Sequence, residues 1–178
     1  MQIEKSPEST DFAALTRVLV AKAKSSDDAT RYTAMRWLNC FLTHALACSH
    51  DSMATFLADL IIAVLPCVSH ANKDIRDAAV SCNSKLLALD VGAHLASTGI
   101  APVLTALSYE LTSQQQPTRL EALRWVQVLL EHNKAAMLQQ WHDIMPALLD
   151  ALTSSSDGVV KQARALRPRR CQPVAGSV

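Results

Sequence analysis

The second half of this chain repeats the first half, and this internal repeat limits the possible folds more than any other feature. Residues 12–41 align without a gap onto residues 100–129 at an offset of 88, with eight identities in thirty positions. The longest identical segments are Thr30-Arg31 with Thr118-Arg119, and Arg36-Trp37 with Arg124-Trp125. A repeat at a fixed period is typical of arrays in which one small unit stacks on further copies of itself.

A shorter period divides each half again. Pro102 and Pro146 are 44 residues apart, and each lies near the start of an apolar helical run. This period falls within the range of about 40–47 residues for HEAT and armadillo units, and outside the ankyrin and tetratricopeptide periods of about 33 and 34. The later segments match more loosely: Val64-Leu65-Pro66 with Ile144-Met145-Pro146 at an offset of 80, and Ile75 with Val159 at 84. We therefore expect loops of unequal length between similar units.

Apolar residues recur at the three- and four-residue spacing that lines one side of a helix. These stripes and the polar breaks between them predict eight helices, at about 10–24, 28–47, 52–69, 73–89, 98–113, 118–132, 136–153 and 157–167. Thr118 and Glu121 have the spacing of a capping box, in which Glu121 would bond the Thr118 amide. Pro66 and Pro146 lie inside apolar runs and are expected to bend their helices.

The composition favours helices over sheets. The chain is 49% hydrophobic and 4% aromatic, with only four glycines, and no single hairpin of this kind can bury its own apolar stripe. We predict an all-α fold, an α-solenoid of HEAT/armadillo-like helical hairpins with eight helices in four repeats. The expected organisation is a flexible N-terminus (1–9), an array of two halves (10–95 and 96–167) and a disordered or atypical tail (168–178). Because the tail does not resemble a polar capping repeat, we expect a piece of a longer array, or a departure from the natural sequence after about residue 166.

Charge and hydropathy exclude several classes of function. The formal net charge is +1, so no overall field attracts nucleic acid or anionic lipid. The longest apolar stretches are too short to span a bilayer, and the first ten residues do not resemble a secretory signal. The five cysteines are scattered without a Cys-x-x-Cys pair, as expected of small buried side chains in a reducing compartment. These features predict a cytoplasmic protein that binds no nucleic acid.

Motifs for catalysis or cofactor binding do not occur in the sequence. There is no glycine-rich phosphate loop, no G-x-S-x-G and no H-E-x-x-H, so we predict no enzymatic activity, no cofactor and no metal. Cys40, His44 and Cys48 share one helix face, and two of them could in principle hold a metal. The favoured interpretation is that both cysteines pack against a neighbouring helix while His44 lies at the margin.

Two Arg-Trp pairs are the candidate partner contacts: Arg36, Trp37, Arg124 and Trp125. Trp and Arg are enriched at binding hot spots. The favoured alternative is structural, because both pairs recur at the same place in the repeat: each Trp spans the gap between stacked hairpins. Burial of that kind predicts that Trp37→Ala costs about 3–5 kcal/mol. A basic cluster near the C-terminus could touch anionic lipid, although a disordered tail is favoured; it comprises Arg164, Arg167, Arg169 and Arg170.

Three short segments resemble the middle HEAT repeats of the Vac-fourteen family of vacuole-morphology scaffolds. They are Ala34-Met35-Arg36-Trp37, Ala63-Val64-Leu65-Pro66-Cys67 and Val80-Ser81-Cys82-Asn83, in the family's order and spacing. Leu123-Arg124-Trp125 is similar to a fourth family segment, with Arg124 in place of a lysine. The similarity covers about residues 10–165. The short connection from Asp90 to Ser97 differs from the long polar insert that family members often carry.

This resemblance implies a non-catalytic scaffold that is peripheral on endosomal and vacuolar membranes. Proteins of the family join a phosphoinositide 5-kinase of the PIKfyve (Fab) type to a Sac-domain phosphatase and so control phosphatidylinositol 3,5-bisphosphate. The implied partners are these two enzymes and, in full-length proteins, further copies of the scaffold through a C-terminal region that this sequence lacks. The alternatives from the repeat alone are a trafficking or nuclear-transport adaptor and, less compatible with the low net charge, a HEAT-like nucleic-acid repair enzyme.

Overall fold

The computed structural model describes residues 12–48, 56–89, 95 and 99–153, and these residues are almost entirely helical. The elements are α1 (Phe12–Ala23), α2 (Asp28–Cys48), α3 (Leu57–Val64) with a 3₁₀ segment (Leu65–Ser69), α4 (Lys73–Leu87), α5 (Ala101–Leu111), α6 (Gln116–His132), α7 (Lys134–Gln139) and α8 (Trp141–Thr153). No strand occurs in these ranges. The all-α prediction is therefore confirmed.

The helices form two layers of stacked hairpins. The first layer contains α1, α3, α5 and α8, each in contact with the next, and α2 packs against α4 in the second layer. The hairpins α1–α2 and α5–α6 are each packed internally, and the 3₁₀ segment contacts both α4 and α6. One continuous apolar cluster runs through all of these elements. This arrangement is the predicted solenoid, in which neighbouring hairpins supply the core that none could form alone.

Helix α4 illustrates how the sequence specifies these elements. Asn72 caps its first turn by accepting a hydrogen bond at Oδ1 from the Asp74 amide (3.0 Å), which satisfies one of the free N–H groups at a helix start. Asp74 in the first turn and Lys85 in the last turn both suit the helix dipole. The buried face of α4 includes Ile75, Ala78, Ala79, Cys82 and Leu86, which is the apolar stripe seen in the sequence.

Pro66 and Pro146, the two prolines inside apolar runs, have different effects on their helices. The predicted helix 52–69 ends as an α-helix at Val64 and continues as the 3₁₀ segment that contains Pro66. Proline has no N–H to donate and its ring crowds the carbonyl four residues earlier, so the change to 3₁₀ geometry there has a direct cause. Pro146, in contrast, lies inside α8, which continues to Thr153.

The prediction of one helix over 136–153 is wrong. The chain forms two helices there, α7 and α8, separated at Gln140. Met137 and Ile144 are buried, and Trp141 packs against the core between them. These three side chains keep a helical spacing on both sides of the break, so the apolar stripe passes through it unchanged. Periodicity alone therefore could not detect the interruption.

Several predictions lie outside the described residues. These are the flexible N-terminus (1–9), the eighth predicted helix (157–167), the tail (168–178) and the basic cluster of Arg164, Arg167, Arg169 and Arg170. The first turn of the helix predicted from residue 52 also lies outside.

Candidate interaction surface

Three hairpins are closed by the same arginine contact. Arg31 donates from Nε to the carbonyl oxygen of Ser25 (2.9 Å), and Arg119 donates from Nη1 to that of Ser113 (2.6 Å). Arg76 makes the equivalent bond from Nη1 to the carbonyl of His70 (2.8 Å). Each arginine reaches back six residues, and the three are spaced by 45 and 43 residues. This loop closure therefore repeats with a period of about 44 residues. The internal alignment of the sequence identified Arg31 and Arg119 but not Arg76.

Trp125 lies at the centre of the contact between the second and third hairpins. Its side chain is 0% exposed, and its indole Nε1 donates to Oδ1 of Asn83 on α4 (2.8 Å). Asn83 in turn donates from Nδ2 to Oε2 of Glu121 on α6 (2.7 Å). Because the buried indole N–H and the buried amide satisfy each other, the large ring fills the interface without an unpaired donor.

Thr118 joins the same two hairpins. Its hydroxyl donates to the carbonyl of Leu65 (3.2 Å) and lies 2.7 Å from the Ser69 hydroxyl, which also accepts from the Thr118 amide (3.2 Å). The predicted capping box is therefore wrong. Helix α6 already begins at Gln116, and Glu121 contacts Asn83 and Arg124 (3.0 Å). The neighbouring hairpin, which local spacing cannot reveal, supplies the partner of the Thr118 amide.

Glu110 is buried under this interface at the end of α5. The residue is 2% exposed and its Oε1 has no hydrogen-bond partner among the described residues. Burial raises the pKa of Glu110 from its ordinary value of 4.5 to about 7, because an ionised carboxylate is poorly solvated there.

The first hairpin, α1–α2, has a groove that no described element covers. An open cleft of about 470 Å³ lies between α1 and α2 and is lined by Leu19, Lys22, Ala29, Thr30, Thr33, Ala34 and Trp37. At an offset of 88 these positions become Leu107, Glu110, Pro117, Thr118, Glu121, Ala122 and Trp125. The cleft is therefore the equivalent of the surface that the second hairpin covers on α5–α6.

The expectation that both tryptophans span a gap between hairpins holds for Trp125 and is wrong for Trp37. Trp37 is 39% exposed, because no described element covers the cleft. Arg36 and Arg124 are exposed as well. The Arg36 guanidinium lies 5.9 Å from the centroid of the Tyr32 ring, and Arg124 pairs with Glu121 at 3.0 Å. Arg36, Trp37 and Arg124 are thus on the surface, while Trp125 is in the core.

Two of the cysteines confirm the prediction of buried apolar packing. Cys67 and Cys82 are buried, and burial raises the pKa of the Cys67 thiol and raises that of Cys82 to about 12. The Cys82 thiol donates to the carbonyl of Met35 on α2 (3.3 Å). Cys40 is half-buried, and the Cys48 side chain lies outside the described set. Among the side chains described, no three His, Cys, Asp or Glu residues are placed to hold a metal ion.

The described helices include none long and apolar enough to cross a membrane.

Comparison with known proteins agrees with this architecture. The sequence profile of the EF3 N-terminal HEAT repeat matches residues 3–166. The chain belongs to this HEAT-repeat family. It is also similar to Protein VAC14 homolog of Arabidopsis thaliana, with 35% identity over 161 residues. That match covers 89% of this chain and 21% of the relative, so the chain spans about a fifth of the length of the curated relative.

The HEAT hairpins are also joined by polar contacts that the sequence analysis missed. Asn39 on α2 accepts at Oδ1 from the Ser81 hydroxyl on α4 (3.2 Å), and Lys85 donates to the Asn39 carbonyl (3.2 Å) and to the Thr43 hydroxyl (2.6 Å). Asn83 has the corresponding role between α4 and α6. The available signal was an asparagine in the middle of an amphipathic helix, where it is unfavourable unless its amide has a partner.

Proposed function

We propose that this HEAT array is a non-catalytic scaffold segment of the endosomal and vacuolar complex that regulates phosphatidylinositol 3,5-bisphosphate synthesis and turnover. Its partners are a phosphoinositide 5-kinase of the PIKfyve/Fab type and a Sac-domain lipid phosphatase, and its membrane association is peripheral, through the complex. The observation that carries the proposal is the 35% identity with Protein VAC14 homolog, extended over nearly the whole chain.

The architecture suits a scaffold. The first hairpin is held to the second, and the second to the third, by a buried apolar cluster and by specific polar bonds, such as Trp125 to Asn83 (2.8 Å) and Thr118 to Leu65 (3.2 Å). Such an array holds its surface residues at fixed distances from one another. Two enzymes bound to one rigid array act at a high effective concentration toward each other, without any chemistry in the array itself.

Partner contacts are proposed at Arg36, Trp37 and Arg124, which lie on the surface. Trp125 is excluded from direct contact because its ring is fully buried and its indole N–H is bonded to Asn83. Tryptophan and arginine are both among the residue types enriched at binding hot spots.

The test is affinity purification of the tagged 178-residue chain from cells of its source, with quantification of the kinase and the phosphatase in the eluate. We expect both enzymes to be recovered, and an Arg36→Glu/Arg124→Glu variant to recover less of at least one. Tyr109→Arg, at an exposed position of α5, is the matched surface control and should recover both at the wild-type level. Recovery of neither enzyme by a folded wild-type chain would refute the proposal, and recovery of transport receptors instead would favour a general HEAT adaptor.

A further inference from the structure

The two stacking contacts inside the array are built differently. Between the first and second hairpins, α2 packs directly against α4. Between the second and third hairpins, α4 and α6 do not pack directly in this way, and the 3₁₀ segment (Leu65–Ser69) contacts both. Side chains bridge these two helices, from the Trp125 indole to Asn83 (2.8 Å) and from Asn83 to Glu121 (2.7 Å). The second contact therefore depends on a few side-chain bonds, which open at a lower cost in free energy than a packed helix pair.

Glu110 is buried in this second contact. Its side chain is 2% exposed, and its Oε1 has no hydrogen-bond partner among the described residues. At the offset of 88 it corresponds to Lys22, which lines the groove of α1–α2, so Glu110 belongs to the groove of α5–α6. The second hairpin covers that groove, and the charge of Glu110 helps to raise the pKa of the Cys67 thiol on the 3₁₀ segment. Stacking of the second hairpin is therefore what removes the Glu110 carboxyl from water.

The charged groups around Glu110 are engaged elsewhere or lie at the surface. Arg119 donates to the Ser113 carbonyl (2.6 Å), and Glu121 pairs with Arg124 (3.0 Å). The other titratable side chains on α5 and on the elements packed against it are the buried Cys67 and the exposed Asp59, Tyr109, Glu131, His132, His142, Asp143 and Asp150. Burial is thus the cause that raises the pKa of Glu110 to about 7.

We propose that the contact between the second and third hairpins is a pH-sensitive hinge, which is closed while Glu110 is protonated and opens more often once Glu110 is ionised. Opening returns the carboxyl to water, where it releases its proton to the solvent at neutral pH. Closing the contact again requires either that proton or the burial of a carboxylate without a described partner. This proposal is independent of the proposed function.

The direction of the effect follows from the two protonation equilibria. The closed contact holds the Glu110 proton with a pKa of about 7, against an ordinary value of 4.5 in water. The closed form therefore gains stability as the pH falls from about 7 to about 4.5, and its stability changes little outside this window. Acidification makes the array more rigid at this contact, whereas at neutral and higher pH the two parts of the array move more freely.

The experiment is native-state hydrogen exchange, followed by NMR on the intact chain from about pH 5 to about pH 8 and corrected for intrinsic exchange. Two hydrogens cross the hinge: the Thr118 amide, bonded to Oγ of Ser69 (3.2 Å), and the Trp125 indole N–H, bonded to Asn83 (2.8 Å). The Val126 amide in the middle of α6 reports global unfolding. We expect the cross-hinge hydrogens to exchange through an opening at least about tenfold more frequent than global unfolding. That opening should become about 10- to 100-fold more frequent as the pH rises.

Two variants assign the pH dependence to Glu110. Glu110→Gln removes the titrating group with little change of shape, so opening of the hinge should no longer depend on pH. Glu131→Gln removes an exposed carboxyl from α6 and should keep the wild-type dependence. Circular dichroism checks that both variants are folded. Glu110→Leu is the replacement if Glu110→Gln is not, and the same loss of pH dependence is expected for it.

Three outcomes would overturn the proposal. If the cross-hinge hydrogens exchange only as often as the Val126 amide, the contact opens only in global unfolding and there is no hinge. If opening of the wild-type hinge does not vary with pH, Glu110 stays buried in the open form. If the dependence persists in folded Glu110→Gln or Glu110→Leu chains, or is lost in Glu131→Gln, another group controls the opening.

Discussion

The hairpins α1–α2 and α5–α6 have similar sequences and different environments. Both close their loops with an arginine bonded to a serine carbonyl, Arg31 to Ser25 and Arg119 to Ser113. Yet Trp125 is 0% exposed and Trp37 is 39% exposed. The contact that both halves share, the arginine–serine loop closure, lies within one hairpin. The contact that differs, burial of the tryptophan, requires an adjacent hairpin. In a solenoid, a residue type at a repeat position fixes the local geometry, whereas its burial depends on what stacks there.

The largest expected difference is between the two tryptophans. Trp125→Ala removes a fully buried ring and should lower the free energy of unfolding by about 3–5 kcal/mol, whereas Trp37→Ala should cost about 1 kcal/mol or less. The latter value replaces the larger cost expected from the sequence. Chemical denaturation followed by circular dichroism measures both, at a protein concentration where the chain is monomeric. Equal losses for the two variants would mean that the cleft at Trp37 is covered.

Glu110, whose equivalent position in the first hairpin is Lys22, should make stability depend on pH near neutrality. Because burial raises its pKa in the folded state to about 7 from 4.5, the folded chain binds this proton more tightly than the unfolded chain. The free energy of unfolding should therefore fall by roughly 1–3 kcal/mol as the pH rises from about 4.5 to about 7, and change little above that.

Urea denaturation at about pH 5 and about pH 8 measures this effect. Glu110→Gln should remove most of the slope, and Lys22→Gln, at the exposed equivalent position, should leave it unchanged. Asp27 acts in another range: its pKa is lowered, mainly by the hydrogen bond from the Thr30 side chain, so its contribution is lost only as the pH falls below its ordinary value. A slope that persists in Glu110→Gln would assign the effect to another group.

The polar contacts between hairpins should also differ in cost. Asn83→Ala leaves the buried Trp125 indole N–H without its acceptor and should cost about 1–3 kcal/mol. Asn39→Ala removes contacts to Ser81 and Lys85 that lie nearer the solvent, and about 0.5–1 kcal/mol is expected. The denaturation midpoints of the two variants give this comparison of stability when both variants unfold with the same m-value. A larger loss of stability for Asn39→Ala would mean that the hydrogen bonds of Asn39, and not those of Asn83, are better shielded from solvent.

The smallest expected difference is between the arginines that close the loops. Arg31→Ala and Arg119→Ala should each cost about 1–2 kcal/mol, and the two losses should agree to within about 0.5 kcal/mol, because this bond lies within a single hairpin. Thermal and chemical unfolding of both variants tests this expectation. Unequal losses would show that stacking influences even the loop closure, and would weaken the separation between local and neighbour-dependent contacts.

Much of the fold could be predicted from the sequence, because helices and their pairing depend on local periodicity. The helix beginning at Asp28 and the helix beginning at Lys73 start at the predicted residues. The break at Gln140 was missed because the apolar stripe continues through it. The Thr118 capping box was wrong because a neighbouring hairpin, 49 residues earlier in the chain at Ser69, outcompetes the local partner. The candidate surface residues could be identified from the sequence, but the exposed ones could not be distinguished from the buried one. Burial of a tryptophan depends on the neighbouring hairpin and not on the adjacent residues in the chain.

The helical hairpin, its period and its loop closure follow from the local sequence, since amphipathic spacing, capping residues and the repeated arginine act over fewer than about two helical turns. Which groove is filled depends instead on how the hairpins stack in three dimensions. Filling depends on apolar area removed from water and on hydrogen-bond partners from another hairpin. The same Arg-Trp pair is therefore core in one half and surface in the other.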